Sequence, residues 1–243
     1  MNTADLIFLA VVVVAWPLYV ALVRYPRLTR DTAAGKPGAR PFAYLEGVLT
    51  QWGLCAVAIP LWLRGVQTNP DYPRTLQGLG LAMPGGTGFW IGLALAAAVS
   101  ALAVTQTVAI LRSPENRRKA LEQLGKVAPL LPRTPGERNG FMVVSFTAGA
   151  CEEILFRGYL MGGLAVFLGD WGAMGVSAVI FGLAHAYQGT RGILQTGAVG
   201  VVMGILYLVT GTLWVPMALH ALIDVNSGLL GYRLLRSGEP ATA

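Results

Sequence analysis

Apolar residues in this chain form long unbroken runs, near Leu6–Val23, Tyr44–Leu63, Phe89–Leu111, Gly140–Met161, Gly172–Ala186, Ile193–Val209 and Leu213–Leu234. A helix needs about 20 residues to cross a hydrocarbon core of roughly 30 Å. The pattern therefore predicts an all-α fold, a polytopic transmembrane helical bundle of about seven spans. Between the third and fourth runs, Ser113-Pro114-Glu115 supplies a helix N-cap, a proline at the first helical position and an acid in the first turn. Ala120, Leu121, Leu124 and Ala128 then recur at helical spacing beside Arg117, Arg118 and Lys119. This predicts a short helix on the membrane interface, ended by Pro129, Pro132 and Pro135. The pairs Gly158-x-x-x-Gly162 and Gly200-x-x-x-Gly204 permit close helix approach. Three parts are expected: N-terminal spans with the interfacial helix over 1–139, a helical core over 140–236 and a tail over 237–243.

Composition supports the membrane reading, since 54% hydrophobic and 12% charged residues exceed what a soluble surface of a 243-residue chain tolerates. The net charge of +6 is distributed in a way that indicates orientation, with no nucleic-acid partner implied. Basic residues fill alternate loops: Arg24 to Arg40, Arg112 to Arg138, Arg191, and the C-terminal Arg233 and Arg236. Only Arg64 and Arg74 fall on the opposite side. The positive-inside bias then puts the N-terminus outside and the C-terminus in the cytoplasm, across the plasma (inner) membrane if the source is bacterial. It also sets the basic interfacial helix against anionic lipid at the cytoplasmic face. The first run lacks a basic n-region and a small-residue exit, so a cleaved signal peptide is not expected. Cys55 and Cys151 lie inside apolar runs without paired spacing and read as small buried residues.

Ionisable groups at membrane depth are costly and usually functional. The chain's two histidines, His185 and His220, sit in such runs, and a third run carries Glu152 and Glu153. Glu153 and Arg157 are four residues apart on one helix face and are expected to pair, leaving Glu152, about 100° round the helix, available. Phe181 and His185 share a face at the same spacing. So do His220 and Asp224, a geometry in which the carboxylate hydrogen-bonds the ring and fixes its tautomer. Each feature alone has a structural explanation: a neutralised ion pair or a satisfied core histidine. Their coincidence in one small chain points to proton transfer or water activation.

Glu152-Glu153-x-x-x-Arg157, Phe181-x-x-x-His185 and His220-x-x-x-Asp224, in that order on successive apolar helices, resemble the CPBP family of CAAX proteases and bacteriocin-processing enzymes, also called the Abi family. The resemblance covers Gly140 to Arg236; the first three spans carry no such signature. It implies an intramembrane endopeptidase of the glutamate type, related to the type II CAAX prenyl endopeptidase and acting on a membrane protein or peptide. It further implies that Glu152 and His185 activate the attacking water, that His220 and Asp224 stabilise the oxyanion, and that Glu153 and Arg157 shape the site. Asp224 departs from the asparagine frequent at this position, and an ionised aspartate cannot donate a hydrogen bond. His220 is then the expected donor and Asp224 its holder.

No cofactor is expected. Zinc on Glu152, His185 and His220 is the alternative, because the acids outnumber the fixed cation and this donor set is known at catalytic zinc. Other readings are a rhomboid-like serine protease using Ser227, a proton-coupled transporter, and a non-catalytic scaffold or bacteriocin-immunity protein. Along ideal helices Glu152 lies about 18 Å from the cytoplasmic end of its span. His185 lies nearer that end and His220 nearer the other, so tilt or kinks must bring the three level.

Overall fold

The computed structural model describes residues 3–65, 73–81, 83 and 85–236, which leaves the expected tail over 237–243 outside. Every predicted apolar run lies on a helix, and the described residues contain no strand. The main helices are α1 (Thr3–Ala33), α2 (Ala39–Arg64), α3 (Gly86–Arg112), α4 (Pro114–Gln123), α5 (Pro135–Glu153), α6 (Gly162–Ala184), α7 (Thr190–Thr210) and α8 (Trp214–Arg236). Five helical stretches among the described residues are long and apolar enough to cross a membrane. Their outer surface is apolar, with Leu22, Phe167 and Leu194 about 70% exposed. The polar groups are inside: Glu153 and Arg157 are at most 1% exposed.

Helix α5 opens on a capping box in which the Thr134 hydroxyl accepts from the Glu137 N–H and the Glu137 carboxylate accepts from the Thr134 N–H. Beyond Glu153 the backbone widens through Ile154–Met161 before α6 begins. The α5–α6 stretch is 50 residues long and doubles back on itself. A straight helix would hold Phe156 and Phe181 about 37 Å apart, yet their rings meet at 5.0 Å and the Ser177 hydroxyl donates to the Phe156 carbonyl. The reversal is at Gly169, whose φ of 64° a glycine adopts without strain.

Helix α8 packs antiparallel along α5. A Cβ on Gly149 would meet the Met217 carbonyl at 2.8 Å, and one on Gly228 would meet the Phe141 ring at 2.4 Å. This crossing sets His220 beside Glu153. Although α8 falls outside the five most apolar stretches, its buried face of Val215, Leu219, His220 and Tyr232 seats it in the protein interior, where polar residues meet protein.

Helix α1 carries Pro17 and Pro26, which supply no N–H to the preceding turn, and its backbone widens over Val11–Ala15 and Val20–Arg24. The Asp5 carboxylate, buried near its start, accepts from the Tyr159 hydroxyl at 2.6 Å and ties α1 to the core. Cys55 and Cys151 are buried and free, as expected.

Two local expectations are corrected. The helix capped by Ser113 ends at Gln123, and Gly125, with φ of 43°, breaks it before any proline; a tighter turn over Gly125–Leu130 follows. Tyr25, Arg40 and Tyr44 of α1 and α2 donate to the carbonyls of Lys126, Pro129 and Leu130, holding that turn in place. Gly158 admits the backbone of the wide turn Gln77–Leu81, since a Cβ there would lie 2.7 Å from the Leu79 carbonyl; a neighbouring helix is not what it accommodates. Gly200 does allow helix contact, meeting Ala178 of α6.

Candidate active site

The last turn of α5, the C-terminal end of α6 and the first half of α8 converge on one ring. Phe181 contacts Phe156 at 5.0 Å, His185 at 4.9 Å and His220 at 5.9 Å, all edge-on, and the Arg157 guanidinium lies over its face at 4.5 Å. An aromatic face attracts a cation electrostatically, so this side chain brings both imidazoles and the arginine to one depth. The separation along ideal helices is removed by the Gly169 reversal and by His185 lying at the end of α6.

Glu153 is wholly buried and bonded through one oxygen only, its Oε2 being buried without a hydrogen-bond partner. Its Oε1 accepts from Arg157 Nη1 at 2.9 Å and from His220 Nδ1 at 2.8 Å, while Arg157 Nη2 donates to the Gly200 carbonyl at 3.0 Å. A Cβ on that glycine would crowd Ala178 Cα at 3.2 Å and this nitrogen at 3.3 Å. The expected Glu153–Arg157 pair is present.

The expected holder of His220 is corrected. Asp224 Oδ2 lies 3.8 Å from His220 Nε2, beyond a hydrogen bond, and the partner that fixes the ring is Glu153 through Nδ1. With Nδ1 donating to a carboxylate, Nε2 of the neutral ring carries the lone pair, and in the imidazolium it carries a second donor proton. That nitrogen faces Glu152 Oε2 at 3.9 Å. His185 is set in the same sense: its Nδ1 donates to the Phe181 carbonyl at 2.8 Å, leaving Nε2 as the acceptor of the neutral ring.

Glu152 has a different environment from its neighbour. Its side chain is 15% exposed, and Oε1 accepts from Gln51 Nε2 of α2 at 2.9 Å. It lines a cavity of about 90 Å³ with His185, Gln51 and Tyr187, walled by Trp16, Val20 and Arg24 of α1. The helices without a recognisable motif thus build half of the cavity, and Gln51, Arg24, Phe156 and Tyr187 are site residues that the motifs did not reveal. Burial pushes the Tyr187 hydroxyl, in the turn between α6 and α7, up to about 12, so it stays a neutral donor or acceptor.

Among the described residues no three His, Cys, Asp or Glu side chains are gathered so as to hold a metal ion. Ser227 turns its hydroxyl back to the Ile223 carbonyl at 2.8 Å.

Fold and site together define a polytopic helical membrane protein with an acid–imidazole centre buried in its interior. Residues 137–226 match the family model described as type II CAAX prenyl endopeptidase Rce1-like. The chain is also 26% identical over 210 residues to the Bacillus subtilis (strain 168) protein named "Putative membrane peptidase YdiL", an alignment covering 85% of this chain and 81% of that protein. No solved structure matches.

Proposed function

We propose that this protein is a CAAX-protease-like intramembrane endopeptidase that hydrolyses a peptide bond of a membrane-associated protein or peptide. The observation that carries the reading is the division between two adjacent acids. Glu153 is locked to Arg157 and His220, whereas Glu152 opens onto the cavity beside His185.

In this reading water in the cavity gives a proton to Glu152 as its oxygen attacks the scissile carbonyl carbon. His185, with Nε2 unoccupied, shares that proton. The carbonyl oxygen becomes an oxyanion and accepts from Nε2–H of the His220 imidazolium, whose ring Glu153 holds in position. Collapse breaks the C–N bond, and the departing amine takes the proton, leaving one new carboxylate and one new amino terminus. Asp224 lies 3.8 Å from His220 Nε2. No metal enters the mechanism, so turnover is expected to survive exhaustive chelation.

The basic loops support a cytoplasmic C-terminus and an N-terminus outside. In this reading Arg24 and the Tyr187 turn lie at the cytoplasmic end of the bundle, and substrate enters the cavity from that side. Comparison of membrane proteomes from cells carrying wild-type or Glu152→Ala protein tests the function. New termini that disappear in the variant name the substrate; identical termini in both refute the peptidase reading.

A further inference from the structure

We propose that Arg24 is the substrate-anchoring cation of this cavity, holding a carboxylate of the substrate a short distance from the scissile bond. This rests on the peptidase reading and adds a specificity residue in α1, outside the Rce1-like segment.

Arg24 lines the same cavity as Glu152 and His185, and its side chain is only 19% exposed. A buried guanidinium ordinarily takes a close bidentate carboxylate. Here the nearest acid, Glu46, is used by others: Oε2 accepts from Arg27 and Oε1 from the Tyr19 hydroxyl. Arg24 Nε makes only a loose ion pair with Glu46 Oε2 at 3.6 Å, longer than a hydrogen bond, and Nη2 donates to the Ala43 carbonyl. Two arginines share the one glutamate on this side, opposite the Glu152 carboxylate across the cavity.

The position is also shaped for the guanidinium. Gly47 of α2 makes room for it, since a Cβ there would lie 2.5 Å from Nη2, and Trp16 lies 5.9 Å from the guanidinium carbon. Gly47 is one turn before Gln51, which touches Glu152. One turn of α2 rises about 6 Å, so an anion on Arg24 sits on the order of 6–10 Å from the proton-accepting carboxylate. Extended peptide rises about 3.3 Å per residue, so that distance corresponds to roughly two or three residues. A carboxylate so placed belongs to the substrate chain, either its terminus or an acidic side chain close to the cleaved bond.

The test uses full-length protein silenced by Glu152→Gln in phosphatidylcholine nanodiscs. The probes are a fluorescein-labelled apolar hexapeptide with a free C-terminal carboxylate, the same peptide as its carboxamide, and the carboxamide with aspartate at the last position. The free acid is expected to bind about ten- to a hundredfold tighter than the carboxamide, the value of a charged hydrogen-bonded pair. The aspartate peptide shows whether any carboxylate suffices or only a terminus. Arg24→Gln should abolish the preference and Arg24→Lys should keep part of it. Gly47→Ala, which displaces the guanidinium without removing it, should weaken the preference if Arg24→Gln fails to fold. Equal binding of acid and amide, a preference that survives Arg24→Gln, or Arg24-dependent loss of the preference on adding phosphatidylglycerol would overturn the proposal. Cleavage of the two peptides by protein with Glu152 intact is followed in parallel. Equal cleavage sinks the role of Arg24 and leaves the peptidase reading intact.

Discussion

Two polar regions meet at the peptide bond between Glu152 and Glu153, and they differ in what surrounds them. On the Glu153 side every charge is engaged inside the protein: a wholly buried carboxylate, an arginine beneath an aromatic ring, and an imidazole bonded through Nδ1. On the Glu152 side the groups face a cavity, with an amide on one carboxylate oxygen, an imidazole whose Nε2 is uncommitted, and an arginine only loosely paired with Glu46 at 3.6 Å. The 100° turn between adjacent helix positions separates them. Breaking a buried ion pair by removing one partner is strongly destabilising, so the first region is the one where substitutions should cost stability and the second the one where, on the proposed function, they should cost activity.

The comparison is broken most severely by substitutions that exchange the two roles. Glu152→Gln removes the proposed proton acceptor while keeping shape and the Gln51 contact. Turnover should fall by about 10²- to 10⁴-fold, with unfolding in detergent unchanged. Arg157→Ala leaves Glu153 buried without its cation and should destabilise the protein by about 3–5 kcal/mol, read as a lower unfolding midpoint. The double change Glu153→Gln with Arg157→Met should recover much of that stability. Failure to do so would mean the arginine acts chiefly by packing on Phe181.

Smaller effects sharpen the picture. Gln51→Leu removes one hydrogen bond to Glu152 and should lower kcat by about tenfold, the equivalent of one charge-assisted bond, while leaving stability close to wild type. An unchanged kcat would show that α2 only walls the cavity. The smallest effect is expected at α4, where Lys119 pairs with Glu115 and Arg118 with Glu122. Those pairs neutralise much of its basic face. Arg117→Gln should therefore weaken enrichment of fluorescent phosphatidylglycerol around the protein by about 1 kcal/mol at most.

Much of this was legible in the sequence because the signals are local. The apolar runs give the helices, Ser113-Pro114-Glu115 gives the start of α4, and the i, i+4 spacing gives the Glu153–Arg157 pair. What was not legible depends on contacts between distant segments. Gln51 reaches Glu152 across 101 positions, and His220 reaches Glu153 across 67. The same limit explains the assignment of Asp224 as holder of His220: helical spacing proposes a neighbour, but the crossing at Gly149 delivers a closer carboxylate. The cavity wall from α1 was hidden for a similar reason, since its prolines and apolar residues read simply as a span. The reversal at Gly169 is a tertiary event that hydropathy does not record.

The most direct measurement sets Glu152→Gln beside Glu153→Gln in purified, reconstituted protein, following peptide cleavage and the unfolding midpoint together. The account predicts that Glu152→Gln is silent yet as stable as wild type, and that Glu153→Gln loses stability. Full cleavage by Glu152→Gln would contradict it.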